Sequence, residues 1–414
     1  MRFVVSKQSL PLLVLLILAL QPSPASAFYQ QKTKQLDLDA RGMVRGFVNA
    51  AHYPDDPLLY PEQNQSGAAA IARLMLDLSL GDQWQFEFNA YQAYISRDLA
   101  IQQNSAGLPA AVERSAWLER SFSNQDYLHL VLDRLVWRWS KQSLDISLGR
   151  QPINLATTFY FTPNDFFAPF SAQTFYRVYK PGVDALRAEL GLGEFSQLSF
   201  ISVLGYQAKA DSDNGWSDTP DHNRASHLLR WSTAVGNIET TVIAGRVVDK
   251  NIIGAALQGE IFEWLGVRFE GHHGNPQQSG RDNYQQLTLG FEHRWESSFE
   301  LRWELFYNGL GSNRIADYAA LAQTGSTQYL ARRYSALGGS YEITPLLTTQ
   351  AIIISNLDDH SQLLSLNSLY SLSDESEMAI NLTLPMGKEP AAGRLNSEFA
   401  AYPLTFNIEM RLFF

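Results

Sequence analysis

The chain of 414 residues contains no cysteine, which excludes disulfides, thiol nucleophiles and thiolate metal sites together. Long apolar runs are also missing: beyond the first 27 residues nothing approaches the roughly 18 apolar residues of a membrane-spanning helix. Basic residues are outnumbered, 32 Lys and Arg against 42 Asp and Glu, for a formal net charge of −10. So acidic a chain is a poor candidate for bulk nucleic-acid binding. No phosphate-cradling glycine loop or nucleotide motif occurs, and no cofactor is expected.

What is present at the amino end is an export pattern. Arg2 and Lys7 precede an apolar run from Leu10 to Leu20, and Pro22, Pro24 and Ala25-Ser26-Ala27 follow it. This reads as a secretory signal peptide over residues 1–27 with the mature chain starting at Phe28. Without Arg2 and Lys7, 30 basic residues face 42 acidic ones, a formal −12. No cysteine follows the cleavage site, so a lipoprotein is not expected. An exported chain without apolar helices can span a membrane only as a closed barrel.

The carboxyl end supports that choice. Leu404, Phe406, Ile408, Met410, Leu412 and Phe414 share one face, and Thr405, Asn407, Glu409, Arg411 and Phe413 the other. Period-2 alternation places one face against an apolar medium and the other against a polar one. A transmembrane strand needs about 9 to 11 residues, which this segment supplies. The terminal Phe414 resembles the assembly signal of Gram-negative outer-membrane barrels, so outer-membrane lipid and the barrel-assembly machinery are expected partners.

Comparable segments recur at 36–50, 70–80, from 84, and at 127–139, 143–150, 183–190, 197–206, 227–235 and 238–246. They continue at 252–261, 265–271, 284–293, 299–309, 334–343, 347–355, 362–372, 377–385 and 404–414. The pattern predicts an all-β fold, a transmembrane antiparallel up-and-down barrel of eighteen strands. Two segments are irregular: 127–139, whose apolar face changes parity near Asp133, and 362–372. Losing one hairpin would leave sixteen strands. Connections alternate between short turns, such as Gly81-Asp82-Gln83 and Gly236-Asn237, and long loops, as in bacterial barrels. A single domain, 28–414, follows. The aromatic content of 12% suits girdles at the two membrane interfaces.

The same parity sorts charge inward. Arg41, Arg45, Arg73, Arg187, Arg230, Arg268, Arg302 and Arg411 share the inner face with Asp39, Asp77, Glu87, Asp145, Glu189, Glu239, Glu260, Glu270, Glu292, Glu300, Glu304, Glu342 and Glu409. Cross-strand pairing into a polar ladder is the ordinary reading of such residues. A ring of charge that selects solutes is the functional one.

The longest connection, 151–182, is dense in aromatics: Phe159, Tyr160, Phe161, Phe166, Phe167, Phe170, Phe175 and Tyr176. Such a segment should pack rather than float, either within the barrel lumen or across its mouth, and porin analogy favours the lumen. Arg150, Arg177, Lys180 and Arg187 surround it, with Asp165 and Asp184 as possible partners, and could form a constriction. Leu148-Gly149-Arg150-Gln151-Pro152-Ile153, followed by Phe161-Thr162-Pro163-Asn164-Asp165-Phe166-Phe167, resembles the alginate-export and related porin-like barrels. A Trp-Gly pair often follows the Gly-Arg-Gln there, where this chain has Leu155-Ala156. The resemblance covers residues 144–187. It implies an eighteen-stranded passive channel with an arginine-lined constriction for anionic sugar chains, and carries over to Arg150, Asp165, Arg177, Lys180 and Arg187.

No sequence arrangement implies a Ser-His-acid triad, and no enzyme activity is expected. His272-His273, placed by the pattern at the start of an external loop, is better read as solvated than as a metal site. The expectation is a porin-like channel in the outer membrane for small hydrophilic solutes, anionic ones or oligosaccharides among them. The rival is a closed barrel that anchors surface polysaccharide.

Overall fold

The computed structural model describes residues 29–96, 112–121, 127–174, 177, 179–212, 214–277, 280–325 and 327–414. The signal peptide expected at 1–27 lies outside these residues, as do Phe175 and Tyr176. Eighteen strands form the wall: β1 Leu36–His52, β2 Asn64–Leu80, β3 Trp84–Ile95, β4 Tyr127–Lys141, β5 Leu144–Gln151 and β6 Val183–Gly191. They continue as β7 Ser196–Val203, β8 Ser226–Val235, β9 Ile238–Val247, β10 Lys250–Ile261, β11 Leu265–Pro276 and β12 Tyr284–Arg294. The last six are β13 Glu300–Asn308, β14 Arg333–Thr344, β15 Leu347–Asn356, β16 Gln362–Ser373, β17 Ser376–Met386 and β18 Leu404–Phe413. Each pairs antiparallel with its neighbours in sequence, and β18 pairs with β1 from Met43↔Phe413 to His52↔Leu404. Closure leaves no unpaired wall edge, which a lipid environment requires. β16 is paired along its length on both sides, so the count is eighteen rather than sixteen.

Lipid-facing positions are exposed and apolar, among them Leu74, Leu130, Leu148, Phe200, Leu229, Trp231, Ile253 and Leu337. In water such a continuous apolar surface would drive association. Against acyl chains it is the solvated surface, where an Arg or Lys near the midplane would cost about 2 to 4 kcal/mol.

The parity change near Asp133 has a local cause. Asn89 on β3 faces Arg134 and the next residue, Ala90, faces Leu132, so Asp133 is the extra residue of a β-bulge. A bulge inserts one residue and shifts the alternation beyond it. Asp133 is thereby turned inward, where it is buried.

The chain end closes against β1. Gly42 and Phe414 exchange backbone hydrogen bonds, 2.5 Å from the Gly42 N–H to the Phe414 oxygen and 2.9 Å in return. A Cβ on Gly42 would lie 2.2 Å from the Phe414 ring. Gly42→Val should therefore displace the terminal aromatic and lower the yield of heat-modifiable folded barrel. Wild-type yield and mobility would show that this contact is dispensable.

Candidate functional site within the barrel

After β5 the chain crosses to the opposite wall, where inward-facing side chains of β11 and β13 receive residues 157–164. Glu270 on β11 accepts the backbone N–H groups of Thr157, Thr158 (2.9 Å) and Asn164 (3.0 Å). Glu304 on β13 accepts those of Phe159 (2.6 Å), Tyr160 (2.8 Å) and Phe161 (3.0 Å). Both glutamates are buried. A segment with no sheet partner must satisfy its backbone donors somehow, and here two side chains satisfy six of them.

Packing reinforces this anchorage. Phe161 stacks on Phe306 of β13 at 4.9 Å and 15°, within a buried cluster that includes Tyr160, Tyr329, Tyr334 and Phe399. The Arg302 guanidinium lies 4.0 Å over the Phe159 ring. Arg177 donates to the carbonyls of Phe159, Ala172 (3.0 Å) and Thr174 (2.9 Å), so this guanidinium braces its own segment. Lys180 is bonded to Asp165, and both are buried.

A second segment, 112–121, is held to the near wall, where Glu119–Ser121 pairs antiparallel with β4 from Glu119↔Val131 to Ser121↔His129. Arg150 is 2% exposed and donates twice to Asp184, at 2.9 and 3.1 Å, as well as to the carbonyls of Leu132 and Ser115. Asp133 accepts from Arg73 at 3.1 Å and Arg114 at 3.0 Å, and Arg114 also bonds Glu119 and the Gly182 carbonyl. The bulge residue thus ties both inward segments to β2. Removing one member of such a buried ion pair costs about 3 to 5 kcal/mol, because its partner is left uncompensated.

The six constriction candidates therefore divide. Arg150, Lys180 and Asp165 are buried and Asp184 and Arg177 are partly buried, all five in bracing roles. Arg187 alone keeps substantial solvent contact, paired with Glu189 at 2.7 Å beside a 240 Å³ recess that Arg138 and Asp145 also line. The inward arginines of the strands pair as a ladder. Arg41 binds Asp77, Arg45 binds Glu409, Arg268 and Arg302 share Glu292, and Arg411 bridges Glu377 and Glu409. Arg230 reaches Glu239 at 3.9 Å.

The expected external loop at His272-His273 is corrected. β11 runs on to Pro276, with both histidines paired to β10. Adjacent residues of a strand point to opposite faces, so the two rings cannot chelate one ion. His272 is buried, 3.3 Å from Asn164 Oδ1 and edge-on to Phe166. Sequence reasoning overlooked Arg114 and Glu119, which lie in a connection without periodicity, and the role of Asp133, which the parity break had marked.

Above the lumen, Glu398 ties the β17–β18 connection to the β13–β14 connection and to the ends of β14 and β15. It accepts from the Leu330 N–H (2.9 Å), Tyr334 hydroxyl (2.5 Å) and Asn356 amide (2.8 Å). Burial pushes its carboxyl up to about 7, against the lowering effect of the bonds from Tyr334 and Leu330.

No family model matches the sequence, and no curated protein matches it. Among solved structures, OccAB4 of Acinetobacter baumannii aligns with a TM-score of 0.58 at 9% identity, covering 93% of this chain and 99% of that one. OccK9 (OpdG) of Pseudomonas aeruginosa gives 0.57 at 11% identity, over 91% and 98%. OccAB3 of Acinetobacter baumannii gives 0.55 at 10%, over 91% and 99%. At these identities the likeness establishes the barrel fold. It lends no support to the narrower alginate-export resemblance of residues 144–187.

Two outcomes follow from the anchorage. Glu270→Ala with Glu304→Ala strips partners from six backbone donors, at about 1 to 3 kcal/mol for each left unsatisfied. Protease cleavage within 157–170 of the folded barrel should then appear, and full resistance would contradict the anchor. For Glu398, a folded pKa raised from 4.5 to about 7 means that its stabilising contribution is complete below about pH 4.5 and lost as pH rises through 7. Amide exchange in 387–403, corrected for intrinsic rates, should accelerate across that window in wild type and stay flat in Glu398→Gln. Identical profiles would contradict the assignment.

Proposed function

We propose that the chain is a passive outer-membrane channel for small hydrophilic solutes, with residues 152–182 setting its bore. One observation carries the reading: guanidinium groups facing the interior remain in contact with solvent. Side-chain exposure is 42% for Arg41, 37% for Arg138, 33% for Arg268 and 28% for Arg187. On the inner face of a closed barrel, such exposure requires water inside. The segment after β5 lies against the wall through side-chain struts and 112–121 through both struts and the pairing of Glu119–Ser121 with β4, an arrangement that narrows a lumen without adding a separate plug domain. The Occ outer-membrane porins that share the fold support the same reading.

The wall chemistry bears on selectivity. Nearly every inward arginine has a carboxylate within ion-pair distance, and carboxylates outnumber arginines on the inner face, so the wall as a whole should favour cations. Arg187 and Arg138 have the exposure to meet an anionic solute, with guanidinium forks suited to carboxylate or phosphate groups. Arg150, Asp165, Arg177, Lys180 and Asp184 act through the position of the inward segments. The carboxylate-rich, water-facing wall gives no support to a sealed barrel that only anchors polysaccharide.

Refolded protein in a planar bilayer should show stable conductance steps. Arg138→Ser with Arg187→Ser should move the reversal potential in a salt gradient toward cation preference. Folded barrel that never conducts would overturn the channel reading, and an unmoved reversal potential would return both arginines to the ladder.

A further inference from the structure

The short turns of the barrel lie on one rim, with the chain end, and they divide into two arcs. From the β6–β7 turn round to the β14–β15 turn, five successive connections carry large apolar side chains at or beside their tips. Phe195, Val235, Phe262, Trp264, Trp295 and Leu346 are all exposed there. The other three connections, on the arc that holds both chain ends, are polar at their tips: Asp82-Gln83, Gln142-Ser143 and Asp374-Glu375, exposed as well.

Each arc carries a constraint of its own. Phe262 is 76% exposed, and it and Glu263 hold φ angles of 56° and 61°. A two-residue turn with both residues left-handed ordinarily takes Asn-Gly or Asp-Gly, and a large ring occupies it at a cost. In water that ring would add an exposure cost to the conformational one; in an apolar layer its burial offsets the turn. On the polar arc, the short strand Tyr29–Lys32 pairs with Asp37–Ala40 of β1, beyond the end of β18. Among the described residues nothing pairs with its other edge. Unpaired backbone N–H and C=O groups are not tolerated against acyl chains, so this side of the rim stands in water.

We propose that the barrel sits tilted in its membrane, with the apolar arc of the rim sunk into the phospholipid leaflet and the polar arc held clear of it. Lipid is the occupant because the apolar tips continue the lipid-facing wall. On β10, Ile253, Leu257 and Ile261 lead along the outer face to Phe262, and on β8 Leu229 and Trp231 lead to Val235. Exposed Glu194, Glu263 and Glu296 in the same turns set the depth at headgroup level, since a carboxylate among the chains is costly. On the polar arc the apolar limit falls at Leu80 and Trp84, short of the tip. The two sides therefore differ by about 3 to 7 Å, one to two residues of strand rise. The inference rests on the reading of the chain as an outer-membrane barrel.

The chain has no cysteine, so a nitroxide on one introduced cysteine reports a single position. The test compares relaxation of that label by oxygen, which concentrates among acyl chains, and by a water-soluble nickel chelate. The full chain is reconstituted in vesicles of phosphatidylethanolamine and phosphatidylglycerol, and every variant must keep wild-type heat-modifiable mobility. Labels at Phe262→Cys and Leu346→Cys should favour oxygen, those at Gln83→Cys and Glu375→Cys should favour nickel, and the two pairs should differ in depth by about 3 to 7 Å. Two positions on each arc keep the test intact if one variant fails to fold. Four labels at one depth, or nickel preference at 262 and 346, would overturn the proposal. Spin–spin broadening at 262 that vanishes on dilution with unlabelled protein would place a second copy on this arc and overturn it too. Ile253→Cys, on the wall, separates the two levels: oxygen preference there with nickel preference at 262 removes the tilt alone, whereas nickel preference at 253 removes the membrane-barrel reading beneath it.

Discussion

Two glutamates on the inner wall, Glu270 and Glu304, determine what the barrel encloses. The excursion from β5, residues 152–182, cannot lie in a lumen with its N–H groups unpaired, and among the described residues no strand pairs with it. By accepting three backbone donors each, the two side chains convert an irregular segment into a fixed strap. The aromatic cluster of Phe161, Phe306 and Tyr329 then packs behind a backbone already in place. Bracing by Arg177 within the segment and by Lys180 with Asp165 follows the same logic, since polar groups removed from water find partners inside the strap.

The same economy governs charge. Sorting by alternation places guanidinium and carboxyl groups on one face of the sheet, where cross-strand neighbours pair them. Buried members such as Arg150, Arg411 and Asp133 hold geometry. Half-exposed members such as Arg138, Arg187 and Arg268 face water. Burial, rather than residue type, separates a strut from a lining group, and two arginines on neighbouring strands can fall on either side of that division.

Legibility in the sequence followed how local the determining interaction was. Strands declare themselves by period-2 alternation, and all eighteen segments correspond to strands of the closed sheet, with ends displaced by a few residues. The most irregular, 127–139, was irregular for a physical reason: the bulge at Asp133 shifts the inward set by one. The length of β11 was misjudged because Gly271 and the polar His272-His273-Gly274 read as loop, although the pairing with β10 continues through them. The candidate site was legible only in part. Aromatic density in 159–176 signalled a segment that must pack, and the inward parity of Glu270 and Glu304 was visible. That these two receive the segment depends on strands more than a hundred residues away, which no periodicity encodes. For the same reason Arg150 and Lys180 could be selected from the sequence as charged groups near a loop, but not as buried ones.

Release of the strap held by Glu270 and Glu304 tests directly whether it narrows the lumen. The most direct measurement is single-channel conductance of the Glu270→Ala/Glu304→Ala protein beside wild type, in the same bilayer and salt. Larger, noisier steps are expected once the strap is released. Conductance equal to that of wild type, in a variant whose strap has become protease-sensitive, would contradict it.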